Sequence, residues 1–177
     1  MDVINLNSEF PKDPSLLTDR SPGLHVSQIY GDLQDILFPV RKTNNKLWAT
    51  GGFIWEILLE LAFKHALGVR PGEILLDGVA CSPDGINWKD GYVEEYKFSW
   101  KSSKKPVESR WVWMCQAMAY CKVTGLNVVR FRIFHVNGDY SFDGPIYKDC
   151  FITFTQEEID NNWAMLIAHA RSKGWLE

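Results

Sequence analysis

The chain has 177 residues, of which 46% are hydrophobic and 23% charged, a composition that fits one soluble globular domain over 1–177 better than two. Its formal net charge of −3 argues against a uniformly basic nucleic-acid binder, so any contact with DNA must come from local basic clusters. The longest apolar run, 53–63, is interrupted by Glu56 and Glu60 and is too short to cross a bilayer.

The first half of the chain predicts two helices followed by two strands. Ser27 is suited to cap a helix that Pro39 stops, and Thr50 opens a longer helix that ends before Gly68 and Pro71. Two extended segments follow, joined through Asp-Gly turns. The predicted elements are an irregular arm at 1–19, helices at 27–38 and 50–66, and strands at 73–82 and 92–100.

The second half begins with a predicted helix and a predicted strand. Pro106 suits the first turn of a helix that Gly125 ends. Beyond Gly125 the apolar period changes to two. Val129, Phe131 and Ile133 occupy alternate positions, which predicts a half-buried strand.

A hairpin and a helix complete the predicted order. The pair Asn137-Gly138 is a strong turn signal, and a partner strand is expected within 140–154. Thr155 and Glu158 have the spacing of a capping box, and the helix that they open has one apolar face to pack on the sheet. This order predicts a mixed α/β fold, with a central mixed β-sheet flanked by helices.

Two acids and a lysine are the main candidates for chemistry. Glu95 and Lys97 are two positions apart on the predicted strand 92–100, so their side chains share one face. Asp84 lies at the turn that precedes this strand. Carboxylate oxygens bind hard divalent cations, and a lysine beside them can steady an attacking water and developing negative charge. The pattern indicates metal-dependent hydrolysis of a phosphodiester.

Other acids compete for these roles. Asp77 falls within the predicted strand 73–82, and Asp90 belongs to a second Asp-Gly turn. Asp84 itself could be an ordinary turn residue, since Pro-Asp-Gly is common turn chemistry. Glu94 is expected to face away, because only Glu95 shares a strand face with Lys97. The ordinary alternative for that pair is a salt bridge without metal.

Asp84, Glu95 and Lys97 resemble the PD-(D/E)XK nuclease signature. Asp84 corresponds to its first acid, and Glu95-x-Lys97 corresponds to its second element. The Ser-Pro-Asp-Gly segment at 82–85 is similar to the lambda-exonuclease (YqaJ) branch of that superfamily. Three further segments resemble the branch in order: Arg20 with Gly23-Leu24-His25-Val26-Ser27, the Gly-x-x-x-Glu helix start at Gly52 to Glu56, and Gln116-Ala117-Met118-Ala119-Tyr120. Together they span roughly 20–136.

The resemblance implies a restriction-endonuclease-like core and a set of roles. Asp84, Glu95 and the backbone carbonyl of Tyr96 would bind Mg²⁺ or Mn²⁺. Glu56 would support the metal, directly or through water, with Glu60 the weaker choice; acids on such a helix are otherwise a polar stripe at its solvent edge. Lys97 would position the water.

A further set of residues would contact DNA or orient the site. Gln116 would orient groups near the metal or the DNA backbone, although it could equally be a buried amide that ties helix to sheet. Arg20 and Ser27 together could hold a terminal phosphate. The ordinary alternatives are an exposed charge for Arg20 and a helix cap for Ser27. Candidate DNA contacts are Lys101, Lys104, Lys105 and Arg110, and also Arg130 with Arg132, which otherwise belong to a solvated loop and strand face.

The activity implied is a phage-type 5′-to-3′ exonuclease on duplex DNA ends in recombination or repair, with a single-strand annealing protein as partner. One alternative is a nicking or structure-specific endonuclease of the same fold. Another is a catalytically silent DNA-binding module, in which Trp100, Arg110, Trp111 and Trp113 would stack on unpaired bases.

The cysteines and the N-terminus bear on compartment and cofactors. The four cysteines form no Cys-x-x-Cys pair, which favours reduced thiols over disulfides or zinc. They are not bunched near the C-terminus, as in nuclease relatives that hold an iron–sulfur cluster. The Met-Asp start lacks an export signal. We therefore expect a cytoplasmic protein with no zinc, no iron–sulfur cluster and no membrane partner.

Overall fold

The computed structural model describes residues 22–39, 46–63, 67–141 and 144–177. Arg20 and the predicted arm at 1–19 lie outside the described residues. The elements are β1 Leu24–His25, α1 Val26–Leu37, α2 Lys46–Phe63, β2 Ile74–Leu76, β3 Val79–Cys81, β4 Gly85–Asn87, β5 Tyr92–Ser99, α3 Trp111–Thr124, β6 Val128–His135, β7 Ile146–Thr153 and α4 Gln156–Ser172. A short 3-10 helix, Val107–Ser109, precedes α3.

The strands form two mixed sheets, ordered β1-β3-β2 and β4-β5-β6-β7. In the larger sheet β5 and β6 are parallel, while β4 and β7 run antiparallel to their neighbours. Helices α1, α3 and α4 pack together on one face of this sheet, and α2 packs on the other. The predicted mixed α/β class is confirmed, although the single central sheet that was expected is divided in two.

The period-two pattern of β6 is confirmed by its buried face. Val129, Phe131 and Ile133 are fully buried and join Val93 of β5 in the main core with α1, α3 and α4. On the other face of the sheet, Tyr96 packs against the apolar side of α2 in a smaller core. The larger sheet is therefore covered on both sides, and β5 is a central strand with two buried faces.

The two arginines of β6 are not the exposed basic cluster that the sequence suggested. Arg132 is only 1% exposed, and its guanidinium lies 3.1 Å from the Glu94 carboxylate on β5. Arg130 donates two hydrogen bonds to Asp149 of β7, at 2.9 and 2.8 Å. The expectation of a solvated, DNA-accessible face is therefore wrong for Arg132, which is buried, while Arg130 stays partly exposed and is paired with Asp149.

The predicted strand 73–82 is wrong, because a tight turn divides it into β2 and β3. Asp77 and Gly78 both have positive φ, 49° and 78°, as a two-residue hairpin turn requires. Asp77 therefore lies in a turn, where its carboxylate accepts a hydrogen bond of 2.8 Å from the Trp163 indole. The short strand β4 was not predicted at all.

Helix starts differ from the prediction more than helix ends do. Helix α1 begins at Val26 with His25 at the N-cap, so Ser27 lies inside the first turn and the predicted cap is wrong. Helix α2 already includes Lys46, upstream of the predicted start at Thr50. Gly125 caps α3 with a φ of 72°, as predicted.

The capping box of α4 is confirmed. The Thr155 hydroxyl accepts from the Glu158 amide at 3.2 Å, and the Glu158 carboxylate accepts from the Thr155 amide at 2.8 Å. The buried side chains of α4, Trp163 and Leu166 among them, pack into the main core as its apolar face predicted. Within the described parts of the chain, no helix is both long and apolar enough to span a membrane.

Candidate active site

Strand β5 places Glu95 and Lys97 side by side on the face that α3 covers. Glu95 is fully buried and its Oε1 forms an ion pair with Lys97 Nζ. Asp84 lies just before β4, and its Oδ2 accepts a hydrogen bond of 2.6 Å from the backbone amide of Tyr96. The chain segment before β4 and the middle of β5 are thereby joined. The structure brings the three residues of the predicted acid, acid and lysine set together.

Gln116 of α3 contacts the lysine directly. Lys97 Nζ donates to Gln116 Oε1 at 2.7 Å, and Gln116 Nε2 donates to the Tyr120 hydroxyl at 2.8 Å. Both halves of the amide are therefore used in a chain of contacts that runs from the sheet into the helix. The Gln116 amide thus connects α3 to the sheet, as one of the two hypotheses for this residue stated. Its partner on the sheet is Lys97, the candidate catalytic lysine.

The charges in this group oppose one another. Burial raises the pKa of Asp84 well above its ordinary value, and repulsion by Glu95 raises it further. Burial also raises the pKa of Glu95, although the attraction of Lys97 opposes this. Burial lowers the pKa of Lys97, but the attraction of Glu95 and Asp84 outweighs burial, so that pKa is raised. Two repelling carboxylates beside one cation leave an environment that a further cation would stabilise.

Glu56 lies at the same site, paired with a residue that the sequence did not single out. Arg70 donates a hydrogen bond of 2.7 Å to the Glu56 carboxylate. Glu56 is close enough to raise the pKa of both Asp84 and Glu95 by repulsion, after the larger effect of burial. Arg70 follows α2 in an irregular segment without any motif, so no sequence pattern could have indicated it.

The start of α1 also borders the site. The Tyr30 hydroxyl interacts electrostatically with Lys97 and with Tyr120, whose pKa is raised mainly by burial. Ser27 is half-buried and lies one turn before Tyr30, on the same side of the helix. The segment predicted to hold a terminal phosphate therefore runs close to the lysine. Tyr30 was not predicted.

Glu94 faces away from Lys97, as predicted, and belongs to a separate buried network. Its carboxylate accepts hydrogen bonds from the Tyr96 hydroxyl, from Arg132 at 3.1 Å and from the Gly68 amide at 3.2 Å. These contacts fix Tyr96 and the segment that leads to Arg70. The network supports the site from the opposite side of β5.

The rival first acids lie elsewhere. Asp90 is exposed in the turn before β5, where it accepts a hydrogen bond of 3.0 Å from Asn87. Asp77 lies in the turn between β2 and β3 and is bonded to Trp163. The structure therefore places Asp84, and neither rival, beside the backbone of Tyr96.

The oxygen atoms at this site can be compared with the ligands that a divalent metal ion requires. Glu95 Oε2 is buried, and no group of the described residues donates a hydrogen bond to it. An unpaired buried carboxylate oxygen is costly unless a cation or proton completes it. Within the same described residues no three His, Cys, Asp or Glu side chains gather as a ready cluster. The carboxylate oxygens of Asp84 and Glu95 are the kind of donor that a hard cation binds, and two such ligands would leave positions for water.

The predicted basic residues lie in the loop that follows β5. Lys101, Lys104 and Lys105 are exposed, and Lys104 lies 3.4 Å from Asp139. Arg110 donates to the Ser102 carbonyl at 3.0 Å and its guanidinium lies 5.6 Å from the Trp113 ring centre. The loop follows the end of β5, and none of the contacts given above joins its cations to the acid, acid and lysine set.

Solved structures share this architecture. A crystal structure of a phage-related exonuclease from Haemophilus somnus 129PT matches with a TM-score of 0.55 at 12% identity, over 82% of this chain and 79% of that chain. An alkaline exonuclease from Laribacter hongkongensis, LHK-Exo, matches with a TM-score of 0.50 at 14% identity, over 85% of this chain and 89% of its own. The chain has the fold of these exonucleases.

A second structure of LHK-Exo, in complex with dAMP, matches with a TM-score of 0.51 at 14% identity, over 85% of this chain and 87% of that one. No protein-family profile matches the chain, and no curated protein matches its sequence. The likeness to known proteins therefore lies in the fold.

Proposed function

We propose that the protein is a metal-dependent deoxyribonuclease that hydrolyses DNA phosphodiester bonds. The observation that carries this proposal is the grouping of Asp84, Glu95 and Lys97, with Lys97 paired to Glu95 and hydrogen-bonded to Gln116 at 2.7 Å. The shared fold supports it, because the three matching structures described above are of exonucleases and one is bound to a deoxynucleotide. A binding module would not need buried carboxylates facing phosphates.

Each residue has a defined task in this proposal. Asp84, Glu95 and the Tyr96 carbonyl would hold Mg²⁺ or Mn²⁺, with Glu56 in support through water; the ion would supply a Lewis acid. Lys97 orients a water for in-line attack on phosphorus and stabilises the negative charge that develops on the phosphate. Gln116 keeps the Lys97 ammonium in place.

The finer assignment is a 5′-to-3′ exonuclease of the phage type that acts on duplex ends in recombination or repair, with a single-strand annealing protein as partner. Ser27 lies one turn before Tyr30, which interacts with Lys97, and this supports a terminal-phosphate anchor in which Arg20 would take part. Lys101, Lys104, Lys105 and Arg110 would contact the DNA backbone beyond the site, and this contact would weaken with added salt.

Incubation with linear and supercoiled DNA in Mg²⁺, Mn²⁺ or EDTA tests the proposal. The proposed enzyme degrades linear DNA in either metal, leaves closed circles intact and is inactive in EDTA. Relaxation of circles would indicate the nicking endonuclease instead. Binding of DNA without cleavage in any metal would contradict the enzyme and favour the silent module.

A further inference from the structure

A cleft of about 410 Å³ opens between α2 and the segment that follows it, directly beside Asp84. Its volume falls within the ~300–1,000 Å³ that is usual for small-molecule sites. The walls differ in chemistry: Ile57, Leu61 and Leu67 are apolar, while Arg70, Asp84 and Glu60 are charged. The cleft thus joins an apolar surface to the candidate metal site.

The apolar wall is exposed in a way that core packing does not explain. Leu61 is 76% exposed and Ile57 is 56% exposed, and the two lie one turn apart on the same side of α2. Neighbouring large apolar side chains left open to water commonly mark a binding surface. Here they line the cleft, whereas Leu58, also exposed on α2, does not line it.

The charged wall carries a cation. Arg70 is bonded to Glu56 at 2.7 Å and interacts electrostatically with Asp84 and Glu60. A guanidinium has five donors, so the contact with Glu56 leaves others that can reach a phosphate. The Glu94 network holds this segment by its hydrogen bond from Gly68, at 3.2 Å.

We propose that this cleft receives one nucleotide of the DNA strand at the candidate active site. Its base packs against Leu61 and Ile57, and its phosphate lies between Arg70 and the metal held by Asp84. This inference rests on the proposed function and deepens it, because it assigns Arg70 as a phosphate ligand and α2 as a base platform. The platform is apolar and offers no base-specific hydrogen bond, so it accepts every base.

Calorimetric titration of two small probes in Mg²⁺ buffer distinguishes the contribution of the apolar wall to binding from that of the charged wall. Thymidine 5′-monophosphate carries a base and a phosphate, whereas 2-deoxyribose 5-phosphate lacks the base. The unmodified protein should bind the nucleotide about fivefold more tightly, as expected for covering a modest apolar area. Leu61→Ala should remove that preference and leave the sugar phosphate unaffected. Arg70→Gln should weaken both probes by about tenfold, as loss of a charge-assisted contact predicts.

Leu58→Ala is the matched control, and it should bind both probes as the unmodified protein does. Leu61 and Arg70 are largely exposed, so their variants should keep the melting temperature. Equal binding of the two probes, binding of neither, or an equal loss of both in Leu61→Ala would overturn the cleft assignment. Failure of the proposed nuclease function is separate, since it would show as intact probe binding without DNA cleavage.

Discussion

Lys97 and Gln116 are joined by a hydrogen bond of 2.7 Å between Nζ and Oε1, across the interface of β5 and α3. The same ammonium is paired with the fully buried carboxylate of Glu95. The lysine is therefore held on two sides, by a charge on its own strand and by an amide on the helix. Such fixed placement is what a group needs to orient a water molecule rather than merely balance a charge.

Replacing Lys97 with Ala should lower the rate of DNA cleavage about a hundredfold or more, because positioned charge-stabilising groups contribute at least that much. Folding and DNA binding should be retained, as measured by circular dichroism and by filter binding in Ca²⁺. Lys89→Ala, which alters an exposed lysine in the turn before β5, is the control and should keep most activity. Near-normal turnover by a folded Lys97→Ala protein would contradict the assignment.

Gln116→Leu should lower kcat about tenfold with little change in KM, because it frees the ammonium without removing it. Combined with Lys97→Ala, it should cost almost nothing further, since both variants disable one unit. A double-mutant cycle of kcat values measures this coupling. Fully additive losses would show that Gln116 acts independently of the lysine.

Asp84→Asn should stabilise the metal-free protein at neutral pH. The pKa of Asp84 is raised by burial and by repulsion from Glu95, so its ionised form is disfavoured in the folded state. The gain should vanish below the ordinary carboxyl pKa of 3.8, where the native residue is also protonated. In EDTA the melting temperature of Asp84→Asn should exceed that of the native protein by roughly 2–4 °C for each 1 kcal/mol of added stability.

In Mg²⁺ the native protein should become more stable than Asp84→Asn, the reverse of the order in EDTA. Binding to the folded state alone stabilises by mass action, so the native protein should gain melting temperature while Asp84→Asn gains little. An equal gain in both proteins would place the metal away from Asp84.

Arg132→Met should destabilise the fold by about 3–5 kcal/mol, because it leaves the buried Glu94 carboxylate without its cation. Arg130→Met is the matched control on the same strand. Its partner Asp149 is partly solvated, so the loss should be about 1 kcal/mol or less. Urea unfolding of both variants measures the difference. Similar losses would mean that the Glu94 pair contributes no more than a surface pair.

Local signals in the sequence predicted local structure well. The capping box at Thr155, the left-handed cap at Gly125 and the alternation along β6 each depend on residues a few positions apart, and all three are confirmed. Asp77-Gly78 is itself a two-residue hairpin signal, and the predicted strand 73–82 passes over it. Ser27 is not the cap because α1 already begins at Val26, with His25 at the N-cap.

Contacts between distant segments could not be predicted in this way. Arg132 pairs with Glu94, 38 positions away, and nothing beside either residue in the sequence indicates that both are buried. Arg70 and Glu56 are hydrogen-bonded although they are 14 positions apart and no motif links them. The predicted set of Asp84, Glu95 and Lys97 is brought together by the structure, while its catalytic roles stay predictions.

Release of acid-soluble nucleotides from linear duplex DNA by Glu95→Gln tests the central claim most directly. The substitution keeps the shape of the side chain and removes only the charge that would hold the metal. The native protein should release nucleotides in Mg²⁺ or Mn²⁺, Glu95→Gln should release almost none, and Asp90→Asn, which alters a rival acid in an exposed turn, should match the native rate. Equal release by Glu95→Gln and the native protein, or no release by the native protein in either metal, would contradict the account.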